Sequence, residues 1–124
     1  MGALDNQVGG QHYKGCRYQP VKFSADLNLN FIQGNIVKYV TRYKEKNGLQ
    51  DLKKVYHYAQ LGQELRPRNF ALFRGTDEYI ERYYTLNSLP YLEGRIVYSA
   101  VYQDWTQIIV NVEQLIAQEY ETVH

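Results

Sequence analysis

The sequence GNIVKYVTRYKEK occupies positions 34–46, and its pattern predicts a helix with two different faces. Apolar side chains recur at the spacing that places them on one side of that helix, and these are Ile32, Ile36, Tyr39, Val40 and Tyr43. Asn35, Lys38 and Arg42 follow a second line at i, i+3 and i+7, so their side chains form one stripe. An amide and two cations in one line suit an anion such as a phosphate. An ordinary solvated face has the same composition.

The residues on both sides of this segment predict a helical hairpin. The first helix is expected at about residues 28–46, and Asn47-Gly48 forms its stop because one of the pair can take the left-handed cap conformation. A second helix is expected at about residues 50–65, where Arg66-Pro67-Arg68 ends it. Because the connection is so short, the two helices are expected to lie antiparallel.

The segments before and after the hairpin predict a loop and a third helix. Residues 12–23 are expected to be extended or looped, since Pro20 keeps the preceding residue out of the helical region. Thr76 is the expected N-cap of a helix that ends at residues 87–90.

The C-terminal part of the sequence permits two interpretations at its beginning. One apolar face continues through residues 97–116 and favours a single long helix. Residues 95–102 are rich in β-branched and aromatic side chains and also fit a short strand. The expected fold is therefore mainly α: an N-terminal loop, an αα-hairpin and two further helices in a small bundle. Residues 1–124 are expected to form one domain, with residues 66–124 available for oligomerisation.

The charge balance argues against a partner that is a long polyanion. The formal net charge is only +1, so a strongly basic surface for nucleic acid is not expected. Residues 12–54 nevertheless carry far more Lys and Arg than Asp and Glu. This local excess suits a small anionic ligand. The thirteen tyrosines serve equally well in a core, an interface or a base-binding pocket, and Tyr83, Tyr84, Tyr98 and Tyr102 are expected in the first two.

The cysteine and hydropathy patterns indicate whether disulfides, metal sites or membrane-spanning segments are to be expected. Cys16 is the one cysteine, so an internal disulfide is excluded, and no CxxC or HExxH spacing exists for a metal. No signal peptide or apolar run of about 18 residues is present, so a soluble, cytoplasmic protein is expected.

The predicted hairpin brings two polar stripes close enough for possible contact. Asn35, Lys38 and Arg42 lie on the first helix, and Asp51, Lys54 and Tyr58 have the matching spacing on the second. If the stripes face each other, Asp51 can hold Arg42 or Lys38 while the remaining cations point at a ligand. An ordinary exposed surface is a more frequent arrangement than a ligand site for residues with this spacing. Ion pairs on such a surface contribute about 0–1 kcal/mol each.

Three further features carry a functional and an ordinary interpretation. His12-Tyr13-Lys14 suits a phosphate or base contact, although a loop histidine is more often simply solvated. His57 is expected on a helix surface. Gly34 costs a helix about 1 kcal/mol relative to Ala, so it indicates either a close helix contact or a ligand that approaches the backbone.

The order of these residues resembles a small phage protein family, labelled SaV-like, over about residues 11–62. The pattern is approximately HY, then QP, then a GN-x-x-KY-x-x-R helix, then DL-x-K-x-x-x-Y. Members of this family are described as nucleotide kinases. The resemblance implies a phage origin, the cytoplasm of an infected bacterium and a phosphorylated nucleotide as ligand. The nucleotide-binding residues that it implies are His12, Tyr13, Lys14, Asn35, Lys38, Tyr39, Arg42, Asp51 and Lys54.

The resemblance implies a ligand class more directly than an activity. The preferred expectation is a homo-oligomeric protein that binds a nucleotide, or sequesters a cyclic or ADP-ribose-type immune signal of the host, without a cofactor. The alternative is a nucleoside monophosphate kinase that uses ATP and Mg²⁺. A third possibility is a structural interaction protein whose tyrosines form an interface.

Overall fold

The computed structural model describes residue 2 and residues 16–121, with all side chains in that range except the one at position 121. Six α-helices follow one another in this part of the chain: α1 (Pro20–Leu27), α2 (Phe31–Arg42), α3 (Leu49–Leu65), α4 (Thr76–Leu86), α5 (Tyr91–Val101) and α6 (Trp105–Ile116). A 3₁₀ turn at Tyr43–Glu45 extends α2, and a π-helical turn at Ala117–Glu121 extends α6. No strand occurs among the described residues. The predicted mainly α fold is confirmed, with two more helices than expected.

The αα-hairpin forms where it was predicted. Helix α2 begins with a capping box, in which the Asn30 side chain accepts from the backbone of Gln33 and the Gln33 side chain accepts from the backbone of Asn30. Gly48 has φ +53° at the start of α3, a backbone conformation that L side chains rarely adopt, so the turn depends on this glycine. Helix α3 ends at Leu65, as predicted.

Helix α1 is the main difference from the predicted N-terminal loop. Gln19 is extended, as expected for a residue before proline, but Pro20 is the first residue of α1 rather than part of a loop. Proline is tolerated there because the first turn of a helix has no partner for the missing N–H. Asn28, in the left-handed conformation, ends α1 and separates it from α2.

Two other boundary predictions are wrong. Thr76 is the first residue of α4 and not its N-cap, which is Gly75; the Thr76 hydroxyl lies within hydrogen-bonding distance of the carbonyls of Ala71 and Phe73. The predicted long C-terminal helix is broken into α5 and α6. Gln103 has φ +57°, and the Asp104 side chain caps α6 by accepting from the backbone of Gln107. Residues 95–102 are helical except for the C-cap Tyr102, and no strand forms there.

All six helices contribute to one hydrophobic core. Helix α2 packs on α3 and α5, and α6 packs on α3 and α5, so the C-terminal helices cover the inner side of the hairpin. Gln33 is fully buried, and its amide donates to the carbonyls of Ala100 and Val101 at 3.1 and 3.0 Å. Tyr43 donates to the buried carboxylate of Glu93 at 2.6 Å, which joins the end of α2 to α5. No helix in the described part of the chain is long and apolar enough to span a bilayer.

Candidate functional site

The two predicted polar stripes meet on one face of the hairpin. Arg42 of α2 contacts Asp51 of α3, with Nε to Oδ2 at 3.2 Å and a second guanidinium nitrogen to Oδ1 at 3.4 Å. The Asp51 carboxylate is fully buried and also accepts from the backbone N–H of Asn47 at 3.3 Å. The sequence left open whether Asp51 holds Arg42 or Lys38, and the structure shows that it holds Arg42.

Tyr39 lies at the centre of this face, although its spacing predicted it among the apolar residues of α2. The Nζ of Lys38 lies 4.5 Å from the centre of the ring, the Cζ of Arg42 lies 4.7 Å from it, and the Nζ of Lys54 lies 4.9 Å from it. All three distances fall within the range of cation–π attraction. One half-buried ring therefore gathers three positive charges from two helices.

We call Lys38, Tyr39, Arg42 and Lys54 the Tyr39 cation cluster. Nearby carboxylates neutralise only part of its positive charge. Asp51 forms an ion pair with Arg42. Neither Lys38 nor Lys54 forms an ion pair with a carboxylate among the described side chains. Since like charges so close together repel, the cluster is suited to an anion that contacts more than one cation.

Aromatic rings continue along the same face. The Tyr58 ring stacks on Tyr39, with the ring centres 6.1 Å apart and the planes inclined by 18°. The ring of Phe31 meets Tyr58 edge-on at 6.0 Å, and 74% of its surface is exposed. An exposed phenylalanine at the end of an aromatic row offers a flat apolar surface for a ligand.

A cleft of about 300 Å³ lies beside the cluster, between α1 and α2. Asn35 and Lys38 line one wall, so the cleft and the Tyr39 cation cluster share Lys38. The remaining wall is mostly apolar and is formed by Gln19, Pro20, Val21, Ser24, Leu29, Asn30, Phe31 and Gly34. The volume of the cleft is at the lower end of the range for small-molecule sites, which is about 300–1,000 Å³.

Asn35 keeps hydrogen-bonding capacity toward this cleft. One N–H of its side-chain amide donates to the backbone carbonyl of Phe31 at 2.8 Å. Its carbonyl oxygen makes no hydrogen bond to any described residue, so it can accept one from a ligand. Gly34 lines the cleft, and a Cβ at this position would lie 3.4 Å from the Ser24 hydroxyl oxygen on the opposite helix.

The C-terminal turn approaches the other end of the site. A Cβ added to Gly48 would lie 3.0 Å from the Tyr120 hydroxyl oxygen, so the turn between α2 and α3 lies close to the hydroxyl end of this side chain. Burial raises the pKa of Tyr120, and the nearby negative charges of Glu119 and Asp51 act in the same direction. Tyr120 lies far outside the hairpin in sequence, and nothing in the sequence pattern indicated this contact.

The other predicted site residues make fewer contacts with the cleft and the Tyr39 cation cluster, or lie outside the described residues. His12, Tyr13 and Lys14 lie outside the described residues. Gln19 and Pro20, the next elements of the family pattern, line the cleft. His57 is exposed on α3, with its ring centre 6.2 Å from that of Tyr58. Within residues 16–121, no group of three or more His, Cys, Asp or Glu side chains is arranged to hold a metal ion. The α1 wall of the cleft was missed, because residues 20–27 were not predicted to be helical.

Comparison with known protein families gives one match, and it covers the same part of the chain. Residues 9–60 match a protein family of unknown function, DUF3310. The match ends within α3 and contains the cleft and the Tyr39 cation cluster. No curated protein and no solved structure matches the chain.

Proposed function

We propose that this protein binds a phosphorylated nucleotide at the cleft between α1 and α2 and at the Tyr39 cation cluster. The observation that carries the proposal is the arrangement of three cations around one tyrosine ring beside an apolar cleft. A nucleotide has the matching parts: a flat base, a sugar with hydroxyl groups and one or more phosphates.

The phosphates are assigned to the cation cluster. Arg42 is held by Asp51 and presents a planar guanidinium, which suits a bidentate phosphate contact. Lys38 and Lys54 approach the same ring from α2 and α3 and act as point charges. Because these two lysines have no carboxylate partner among the described side chains, a phosphate would supply the missing negative charge.

The base and sugar are assigned to the cleft. The apolar wall beside Pro20 and Phe31 suits a base, and the exposed Phe31 ring offers a stacking surface. The carbonyl oxygen of Asn35, which has no hydrogen-bond partner among the described residues, suits a sugar hydroxyl or an exocyclic amine, since both are hydrogen-bond donors. Tyr13 is the other proposed flanking ring, on the basis of the family pattern.

The biological role that we prefer is sequestration in the cytoplasm of an infected bacterium. Resemblance to the SaV-like phage family supports a phage origin, and a pocket rich in Tyr, Lys and Arg suits a nucleotide-derived immune signal of the host. Binding without turnover requires no cofactor. A homo-oligomer is part of the same proposal.

A kinase is the alternative function at the same site. It would need a donor nucleotide, an acceptor and Mg²⁺, held so that the phosphoryl group passes in line between them. The family resemblance supports this alternative. Asp51 contacts the cluster through Arg42, and this ion pair competes with a metal for the Asp51 oxygens. A structural interaction protein without a nucleotide remains the third candidate.

A thermal-shift panel tests the binding proposal. Nucleoside mono-, di- and triphosphates, cyclic nucleotides and ADP-ribose derivatives are each added in excess. A ligand at 100 times its dissociation constant stabilises the folded protein by about 2.7 kcal/mol. For a chain of this size this corresponds to a rise of roughly 10 °C in the melting temperature.

Lys54→Gln and Lys53→Gln form a matched pair for this panel. Both lysines lie on α3, but Lys53 is exposed and contacts no ring of the cluster. We expect Lys54→Gln to reduce the shift and Lys53→Gln to leave it unchanged. No shift with any member of the panel would refute nucleotide binding and favour the interaction protein.

Measuring whether the protein chemically changes its ligand distinguishes sequestration from kinase activity. The best ligand is incubated with the protein, with and without ATP and Mg²⁺, and recovered after heat denaturation. Recovery of intact ligand supports sequestration. ATP-dependent phosphorylation of a nucleoside monophosphate that is lost in Lys38→Ala would establish the kinase.

A further inference from the structure

A second row of aromatic and cationic side chains follows helix α5, outside the hairpin. Tyr91, Gly94, Arg95 and Tyr98 recur at i, i+3, i+4 and i+7, so they lie on one stripe of the helix. The core side of α5 is different and is formed by buried apolar residues that include Ile96, Val97 and Ala100. Gly94 is buried, but Tyr91, Arg95 and Tyr98 are not among the buried residues of α5, so packing into the core does not explain them.

This stripe forms one wall of a cleft of about 440 Å³ between α4 and α5. Tyr84 of α4 and the turn residues Leu89 and Pro90 complete the lining. Gly94 is buried against Tyr84, since a Cβ at position 94 would lie 3.5 Å from Cγ of the Tyr84 ring. The lining of the cleft thus includes three tyrosines, Tyr84, Tyr91 and Tyr98.

Two of the three tyrosines that line this cleft are exposed. Tyr91 is 77% exposed and Tyr98 is 38% exposed, although both are large and partly apolar. Neither hydroxyl makes a hydrogen bond to a described residue. The Tyr98 ring lies against the Tyr102 ring, with the ring centres 4.8 Å apart. Exposed tyrosines around a concavity are suited to stacking on a planar molecule.

Arg95 adds one positive charge to the cleft. Its guanidinium lies 5.6 Å from the centre of the Tyr98 ring and forms no ion pair with a described carboxylate. A guanidinium held against a ring keeps its N–H groups available for a bidentate contact with a phosphate or carboxylate.

We infer that the cleft between α4 and α5 is a second binding site, which takes a planar aromatic molecule carrying one anionic group. The tyrosines hold the ring, and Arg95 binds the anion. Aryl phosphates and nucleoside monophosphates share this chemistry. The inference does not depend on the function proposed for the hairpin, since no residue is common to the two sites.

The test follows the ring signals of labelled tyrosines by NMR during titration of the whole protein. AMP and phenyl phosphate each carry a ring and a phosphate, whereas adenosine lacks the charge and inorganic phosphate lacks the ring. We expect the signals of Tyr84, Tyr91 and Tyr98 to shift with the first two probes and to respond at least tenfold more weakly to the others. A stronger response to AMP than to phenyl phosphate would identify a nucleotide as the ligand, and equal responses would identify any aryl phosphate.

Arg95→Gln and Gly94→Ala test the assigned roles. Arg95→Gln should weaken AMP binding at these tyrosines at least tenfold and leave the weak adenosine response unchanged. Gly94→Ala should leave the protein folded and change AMP binding less than Arg95→Gln does, because the added methyl group meets the Tyr84 ring at an ordinary contact distance. Lys54→Gln is the control, since it alters the hairpin and should not change the response of these three rings.

Three results would overturn the inference. The first is the absence of shifts at Tyr84, Tyr91 and Tyr98 with millimolar AMP and phenyl phosphate. The second is unchanged AMP affinity in Arg95→Gln. The third is a dimer, seen by sedimentation, that Tyr91→Ala converts to a monomer, because it would assign this face to a subunit interface. Loss of binding at the hairpin alone would refute the proposed function and leave this second site standing.

Discussion

Nε of Arg42 lies 3.2 Å from Oδ2 of Asp51, and this ion pair joins helix α2 to helix α3. The carboxylate is fully buried, and the guanidinium side chain is only 14% exposed. The pair therefore fixes how the two helices present Lys38 and Lys54 to the Tyr39 ring. Stability and ligand binding are expected to depend on it together.

The first prediction concerns Asp51→Asn. The substitution keeps the shape of the side chain and removes the negative charge opposite Arg42. Breaking a buried ion pair costs about 3–5 kcal/mol, and we expect a loss in this range in the free energy of unfolding. Urea denaturation of both proteins measures it.

Lys22→Gln is the control for this prediction. Lys22 forms an ion pair with Asp26 at 2.6 Å, but its side chain is 51% exposed. Exposed pairs contribute about 0–1 kcal/mol, so the loss should be small. Equal losses in the two variants would contradict the special role of the Asp51–Arg42 pair.

The second prediction separates the ring of Tyr39 from its hydroxyl. Tyr39→Leu removes the surface on which three cations lie, and each cation–π contact contributes about 0.5–1 kcal/mol. We expect affinity for the best nucleotide of the thermal-shift panel to fall roughly 10- to 100-fold, measured by calorimetry. Tyr39→Phe keeps the ring and should bind nearly as well as the wild type. If both variants lose affinity equally, the hydroxyl and not the ring is what matters.

The third prediction compares two glycines that lie within helices. Helix propensity alone predicts a gain of about 1 kcal/mol for Gly→Ala at either position. A Cβ at Gly62, however, would lie 2.5 Å from the Trp105 ring, which is buried in the core. We expect Gly62→Ala to lower the free energy of unfolding by about 1–3 kcal/mol, because overpacking forces the indole to move.

Gly34→Ala should behave in the opposite way. The new Cβ would meet the Ser24 hydroxyl at 3.4 Å, a close contact with one small side chain. We expect stability to be unchanged or higher by up to about 1 kcal/mol, and affinity for the nucleotide to fall because the cleft narrows. Denaturation and calorimetry on the same sample separate the two effects. Unchanged affinity would place the ligand outside this cleft.

The fourth prediction concerns alkaline pH. Tyr102 donates a hydrogen bond to Asp77, and this bond, together with burial, raises the pKa of Tyr102 from 10.0 to about 12. A raised pKa in the folded state means that the stabilisation is fully present below pH 10 and is lost as the pH rises through about 12.

Tyr102→Phe should therefore reduce the loss of stability between pH 10 and pH 12. Urea denaturation at a series of pH values gives the slope for both proteins. Tyr91→Phe is the control, since Tyr91 is 77% exposed and its hydroxyl has no partner among the described residues. An unchanged slope in Tyr102→Phe would show that the bond to Asp77 does not contribute.

Helix α1 shows one limit of prediction from the sequence. Pro20 fits both a loop and the first turn of a helix, because proline restricts the residue before it in either case. The choice depends on Phe23 and Leu27, which are fully buried in the shared core. That burial exists only once the other helices are in place, so a local pattern could not reveal it.

The break between α5 and α6 shows another limit. The apolar residues keep one helical phase across residues 103 and 104 because both helices pack against the same core. Periodicity therefore indicates one helix where two exist. The positive φ of Gln103 and the cap formed by Asp104 are local conformations that the apolar pattern does not encode.

The sequence by itself determined the helical class, the hairpin and the alignment of two polar stripes, because all three depend on spacing along one or two neighbouring helices. Tertiary structure alone decided that Asp51 pairs with Arg42, that Tyr39 gathers the cations and that α1 supplies the second wall of a cleft. These features depend on distances between side chains from different helices. Packing sets those distances, and no spacing along the chain contains them.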